Sequence, residues 1–194
     1  MGDLLGSVRL GRSSPAQLDR ALAAAQRAPL TYGHPGSTLH PERFPDRTIR
    51  CVGLELVVGA GGLGRGAEGL RTWVPQRGLG ARVHPTDSAL EPGSVLLVVL
   101  PWGPGEVTVP NRIVEVVDEA DRFGFAYGTL PGHLEQGEEC FLVERVSEHS
   151  VRLSVRIDAV PGTPATRALA PVVRFLQRGA VDRYLEALAG HVRS

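Results

Sequence analysis

Between Phe123 and Glu144 apolar and polar positions alternate with a period of two. Phe123, Phe125, Tyr127 and Thr129 share one face, and Gly124, Ala126, Gly128 and Leu130 the other. The pattern predicts a strand with large residues on one side and mostly small ones on the other. A turn over 131–137 carries His133 and Glu135, and a return strand opens with Glu138 and Glu139 before becoming apolar from Cys140 to Val143. This is a β-hairpin with its polar groups gathered at one end. The same period recurs from Val151 to Ala159, where Val151, Leu153, Val155 and Ile157 define a dry face against Arg152, Ser154, Arg156 and Asp158 on a wet one. Apolar runs over 48–58, 95–100 and 112–117 add further strands. After Pro161 and Gly162 the period changes. Leu169, Val172, Val173, Leu176, Ala180, Tyr184 and Leu188 fall at three- and four-residue spacings, predicting a long amphipathic helix capped by Thr163, kinked or broken at Pro171 and ending near Gly190. Ser14 and Pro15 open a short helix with Leu18, Leu22 and Ala25 on one stripe, stopped by Pro29. The Pro-, Gly- and His-rich stretch from Leu30 to Arg47 reads as a surface loop anchored by Tyr32 and Phe44.

Gly59-Ala60-Gly61-Gly62-Leu63-Gly64 matches the dinucleotide fingerprint G-x-G-x-x-G. That fold needs further βαβ units and an acidic residue roughly 20 positions on. Asp87 lies near that distance but in a loop-like stretch, and 93–159 reads as successive strands without crossover helices. In a chain with 24 glycines the match is read as chance.

Composition narrows the class of partner. Twenty-one basic residues, all arginine, balance 21 acidic ones, so no net field draws nucleic acid or an anionic membrane. Cys51 and Cys140, both within strand-like runs, read as buried reduced thiols rather than a disulfide or metal framework. The N-terminus lacks the apolar core of a secretory signal, and no run approaches a membrane span. A cytoplasmic protein is expected.

Strands, short helices, antiparallel strands and a long C-terminal helix make an α+β chain. The order resembles the helix-grip domains of the START and Bet v 1 superfamily, in which a curved antiparallel sheet grips a C-terminal helix over an apolar cavity. The motifs FGFAYGTLPGH and GEE, with LTYGHPGST upstream and LQRGAVDRYLEAL downstream, resemble the domain-of-unknown-function family nineteen-ninety. The division expected is an N-terminal helix and loop extension over 1–47 and a helix-grip domain over 48–194. The resemblance also implies a helix before Trp73; here GGLGRGAEG is short and glycine-rich, so that helix is expected to be frayed or lost. PWGPGEVTVP, after Leu100, reads as an altered connection.

The leading expectation is a small apolar or amphipathic ligand held between sheet and C-terminal helix. Tyr127, Thr129, His133 and Glu138 are its polar contacts, Phe125 is part of the wall, and Trp73 is a cover at the mouth, as is Trp102. Glu138 and Glu139 point to opposite faces of a regular strand, one of them toward an arginine such as Arg112. His133 and Glu138 are also candidates for general acid/base catalysis in a cyclase- or hydrolase-like enzyme. A third alternative is a protein-interaction module with a filled core. His133, Glu135 and Glu138 lack the further ligands a metal centre requires, and neither metal nor cofactor is assigned.

Overall fold

A computed structural model describes residues 8–162 and 170–194, with side chains of the last helix described from Gly179 onward. The expected helices at Thr163–Pro164 and before Pro171 lie outside the described residues. Among those described, eight strands form one antiparallel sheet. They are β1 (Val8–Leu10), β2 (Arg50–Val57), β3 (Arg82–His84), β4 (Val95–Trp102), β5 (Gly105–Asp118), β6 (Arg122–Thr129), β7 (Glu135–Ser147) and β8 (Ser150–Pro161). The sheet order is β2-β8-β7-β6-β5-β4-β3, with β1 beside β5. Bulges in β5, between Ile113 and Glu115, and in β7, between Arg145 and Ser147, break the register and help the sheet curve.

The helices are α1 (Pro15–Ala25), α2 (Gly62–Arg71), α3 (Val74–Gly78) and α4 (Ala170–Arg193). Helices α2, α3 and α4 pack together on the concave face of the sheet. There Val181, Tyr184, Leu185, Leu188 and Val192 of α4 join Phe125, Phe141, Leu153 and Val155 in the main core. A curved sheet gripping its C-terminal helix is the helix-grip arrangement, as the order of elements predicts. Helix α1 packs on the opposite face, where Leu18 and Ala25 cover Leu97, Val99 and Leu130.

Several expectations are corrected. Helix α2 is formed despite its glycines, because they give close packing: a Cβ on Gly66 would stand 2.7 Å from Val143, and one on Gly69 2.8 Å from Leu188. PWGPGEVTVP is the tight end of the β4–β5 hairpin, with Trp102 opposite Gly105. The 30–47 stretch is not a loop over the surface. Ser37, Thr38 and Leu39 are buried against the outer face of the sheet, so the supposed wet face of β8 is covered at Ser154 and Asp158. Cys140 is buried, but Cys51 is exposed on β2.

Candidate functional site

Strand register builds the site on the inner face. Arg50 of β2 stands opposite Ile157 of β8, Ile157 opposite Glu139 of β7, Glu139 opposite Tyr127 of β6, and Tyr127 opposite Ile113 of β5. Glu139 and Tyr127 thus stand side by side on the inner face between Ile157 and Ile113, with Arg50 beyond Ile157 at the sheet edge. The Tyr127 hydroxyl donates to Glu139 Oε2 at 2.7 Å, and the Tyr184 hydroxyl comes to it from α4. Aromatic rings wall this row. Trp73 meets Phe125 edge-on at 5.3 Å, Phe125 stacks on Phe141 at 5.4 Å, and Phe141 meets Tyr184 edge-on at 5.2 Å.

Such surroundings disfavour charge. Burial pushes the Glu139 carboxyl up to about 7; the Tyr127 hydrogen bond opposes the rise, the Glu135 charge adds to it, and Arg50 counters it least. Tyr127 and Tyr184 are held well above the usual tyrosine range, by burial first and by the Glu139 charge second. His133, in the β6–β7 turn, is pulled down to about 4 by burial, and its Nδ1 accepts the Glu135 amide at 3.0 Å. It is a neutral imidazole at pH 7.

Three buried residues and the half-buried Arg50 of edge strand β2 contribute polar atoms with no hydrogen-bond partner among the described residues: Trp73 Nε1, both amide atoms of Gln76, Asn111 Oδ1 and Arg50 Nη2. Trp73, Gln76 and Asn111 are no more than 1% exposed. The Gln76 amide lies beside the Tyr127 hydroxyl. Trp73 is held in this wall by the sharp turn between α2 and α3, in a left-handed conformation at φ 61° that non-glycine residues rarely adopt.

Glu138 is elsewhere. Its carboxylate, 1% exposed, lies on the outer face, where Oε2 accepts from the Tyr32 hydroxyl at 2.8 Å and the Gly36 amide at 2.7 Å. Oε1 accepts from the Thr38 amide at 3.0 Å and hydroxyl at 2.5 Å. Four donors fill the acceptor sites of a carboxylate, leaving none for a ligand. The neighbouring Asp158 accepts from Arg47 through both oxygens and from Ser37 at 2.9 Å. These two acids clamp the 32–47 strap to the sheet.

Of the residues the sequence singles out, Trp73, Phe125 and Tyr127 come together on the inner face. Thr129 ends the same strand, its hydroxyl accepting the Gly137 amide at 3.0 Å and meeting that of Thr31. Neither glutamate turns to Arg112, whose guanidinium donates to the Gln26 carbonyl at 3.0 Å. Trp73 is core rather than a lid, and Trp102 is 56% exposed at the far end of β4. Glu139, Tyr184, Gln76, Asn111 and Arg50 were not anticipated. For Glu139 a signal existed: it alternates with Phe141 and Val143, which face the same way as Phe125 and Tyr127. A hollow of about 280 Å³ lies at the opposite end of β6, lined by Arg71, Leu90, Glu91, Asp118 and Phe123 among others. Its cation is already engaged, Arg71 pairing with Asp118 at 2.8 Å and lying over the Phe123 ring. No group of three His, Cys, Asp or Glu side chains among the described residues is placed to hold a metal ion, and no helix among them is long and apolar enough to cross a membrane.

Sheet, gripped helix and polar-tipped aromatic wall define an α+β helix-grip protein. The chain belongs to the family described as domain of unknown function DUF1990, which it matches over residues 31–187. A UPF0548 protein of Deinococcus radiodurans is 39% identical over 92 residues, covering 45% of this chain and 46% of that protein, so the match spans about half of its length. Among solved structures, protein jhp0584 of Helicobacter pylori superposes with a TM-score of 0.56 at 17% identity, covering 86% of this chain and all of that one. TTHA0849 of Thermus thermophilus superposes with a TM-score of 0.53 at 14% identity, covering 75% of this chain and 97% of its own. At these identities the likeness is one of fold.

Proposed function

We propose that this protein binds a small amphipathic molecule between the inner face of the sheet and α4. The polar head lies at the Tyr127–Glu139 pair and the apolar body lies along the wall that includes Phe125 and Trp73. Thr129 and His133 border the head from the turn end of the hairpin, and Glu138 braces that wall from behind. The observation that carries this reading is the set of polar atoms on Trp73, Gln76 and Asn111 that have no hydrogen-bond partner among the described residues, because buried polar groups in folded proteins nearly always have partners. Glu139 and His133 support it: burial disfavours the charged form of both, and both side chains keep some exposed surface. Native mass spectrometry of gently purified protein is expected to show a retained small molecule that is lost in Glu139→Gln. Protein free of any such molecule, with ordered waters alone on those three side chains in a high-resolution crystal structure, overturns the reading.

One observation favours a catalytic variant of this reading. A carboxyl that titrates near neutrality, as Glu139 does, is suited to general acid/base work, whereas a saturated Glu138 and a neutral His133 are not. Turnover of the retained molecule with a pH midpoint near 7, abolished in Glu139→Gln, is the expected sign; release of the molecule unchanged over the same pH range tells against it.

A further inference from the structure

We propose that the free edge of β2 is an interface on which a second copy of this chain seats the same strand, antiparallel and centred on Leu54, so that two sheets run on as one. Among the described residues three strands have a single neighbour: β1, β2 and β3. Strands β1 and β3 are three residues long, and so short an edge gives another strand little to pair with. Strand β2 runs unbroken over Arg50–Val57, paired with β8 at every residue on one side and with no described residue on the other. The usual protections of an open edge are missing from it. No proline interrupts RCVGLELV and no bulge breaks its register. Of its two charged residues, Arg50 stands at the end and Glu55 pairs with Arg152 of its own chain at 3.5 Å. Cys51, Gly53, Leu54, Glu55 and Val57 are exposed, Leu54 at 38% and Val57 at 85%.

The occupant follows from the parity of the strand. Directly opposed residues of an antiparallel pair share a face, and a twofold axis normal to the sheet keeps inner face with inner face. Arg50, Val52, Leu54 and Leu56 belong to the inner face, opposite Ile157, Val155, Leu153 and Val151, and Cys51, Gly53, Glu55 and Val57 belong to the outer one. Two symmetric registers overlap nearly the whole strand. Centred on Gly53, pairing sets Arg50 against Leu56 and Cys51 against Glu55 of the second copy. Centred on Leu54, it sets Leu54 against Leu54, Val52 against Leu56 and Cys51 against Val57. Glu55 then falls opposite Gly53, which has no side chain to disturb the Arg152 pair. In this register apolar side chains meet apolar ones, and Leu54 and Val57 leave water. That self-matching selects a second copy over an unrelated strand. An edge of this length is small for a protein interface, so the dimer is a weak one, with a dissociation constant on the order of 10–100 μM.

Sedimentation equilibrium of the whole protein from about 5 to 300 μM is expected to show a monomer–dimer equilibrium within that range. Leu54→Arg places like charges at the twofold axis and should weaken the dimer by about tenfold or more. Because Leu54 is partly exposed, the variant should melt close to wild type, which separates a lost interface from a lost fold. Cross-linking in a Cys51→Ser background reads the register. Leu54→Cys should oxidise to a disulfide-linked dimer, since directly opposed Cα atoms lie about 4.5–5.5 Å apart. Gly53→Cys should not, since its two copies then stand two residues out of step, roughly 8 Å apart. Wild-type protein that is monomeric throughout the range, a dimer indifferent to Leu54→Arg, or cross-linking through Gly53→Cys rather than Leu54→Cys overturns the proposal.

Discussion

Glu139 destabilises the fold that holds it. Its folded-state pKa, about 7, lies above the ordinary carboxylate value near 4.5, so between those limits the native state holds more protons than the unfolded one. Its contribution to stability is then most favourable below about pH 4.5 and declines as pH rises to 7. Glu139→Gln is expected to leave stability at pH 4.5 nearly unchanged and to raise it at pH 8 by about 2 kcal/mol, read from urea unfolding at the two pH values. Equal effects at both would deny the buried titration. Asp158 behaves oppositely. Burial alone would raise its carboxyl, but hydrogen bonds from Arg47 and Ser37 hold it below the usual range. Its contribution is present above about pH 4 and is lost as pH falls through the depressed value, and Asp158→Asn should cost about 2 kcal/mol at pH 7. The alternation of Glu138 and Glu139 was legible in the sequence; the face each one serves was not. With both faces of β7 buried, period two separates two sides without saying which carries the helix and which the strap.

Helix α2 illustrates why local propensity misleads in this chain. Four of its ten residues are glycine, a composition that argues against a helix when each position is weighed alone. Three of the four sit where a side chain would collide: Gly62 with Val58, Gly66 with Val143, Gly69 with Leu188 and His191. Gly64 faces open space. The pair Gly64→Ala and Gly66→Ala therefore separates the two causes. Gly64→Ala should stabilise by about 1 kcal/mol through helix propensity. Gly66→Ala should destabilise by about 1–2 kcal/mol, because buried, β-branched Val143 has little room to give. Thermal unfolding of both variants checks it, and equal gains would mean that α2 does not press on β7. The small face of β6 has a similar explanation. A Cβ on Gly128 would strike the Tyr32 ring, and Ala126 lies under Leu39, so these two small residues make room for the strap, while Gly124 makes room for Phe141 and Leu142 of β7. Large-over-small was readable from the alternation, but the occupant of the small side is 96 residues away in sequence.

Taken as a whole, the molecule has three layers: α1 with the 30–47 strap, the sheet, and α2, α3 and α4. The outer layer does more than extend the helix-grip fold. Leu39 covers Val117, Ala126 and Leu142, while Leu18 and Ala25 cover Leu97, Val99 and Leu130, so both apolar clusters of the convex face depend on it. Removing residues 1–47 would uncover about five large side chains at roughly 1.5–3 kcal/mol each, comparable with the 5–15 kcal/mol that stabilises an ordinary domain. It would also strip Glu138 of all four donors and Asp158 of Arg47 and Ser37, leaving two carboxylates beside uncovered apolar surface. A chain beginning at Thr48 is thus expected to show no cooperative unfolding transition and to bind a hydrophobic dye. One beginning at Arg27 keeps the strap and loses β1 and α1, and should unfold cooperatively at a lower temperature than the full chain. If the shorter chain instead melts as sharply as the full one, the strap is dispensable to the sheet. The clamp at Glu138 and Asp158 would then have to be explained by something that the strap does at the outer face other than hold the fold together.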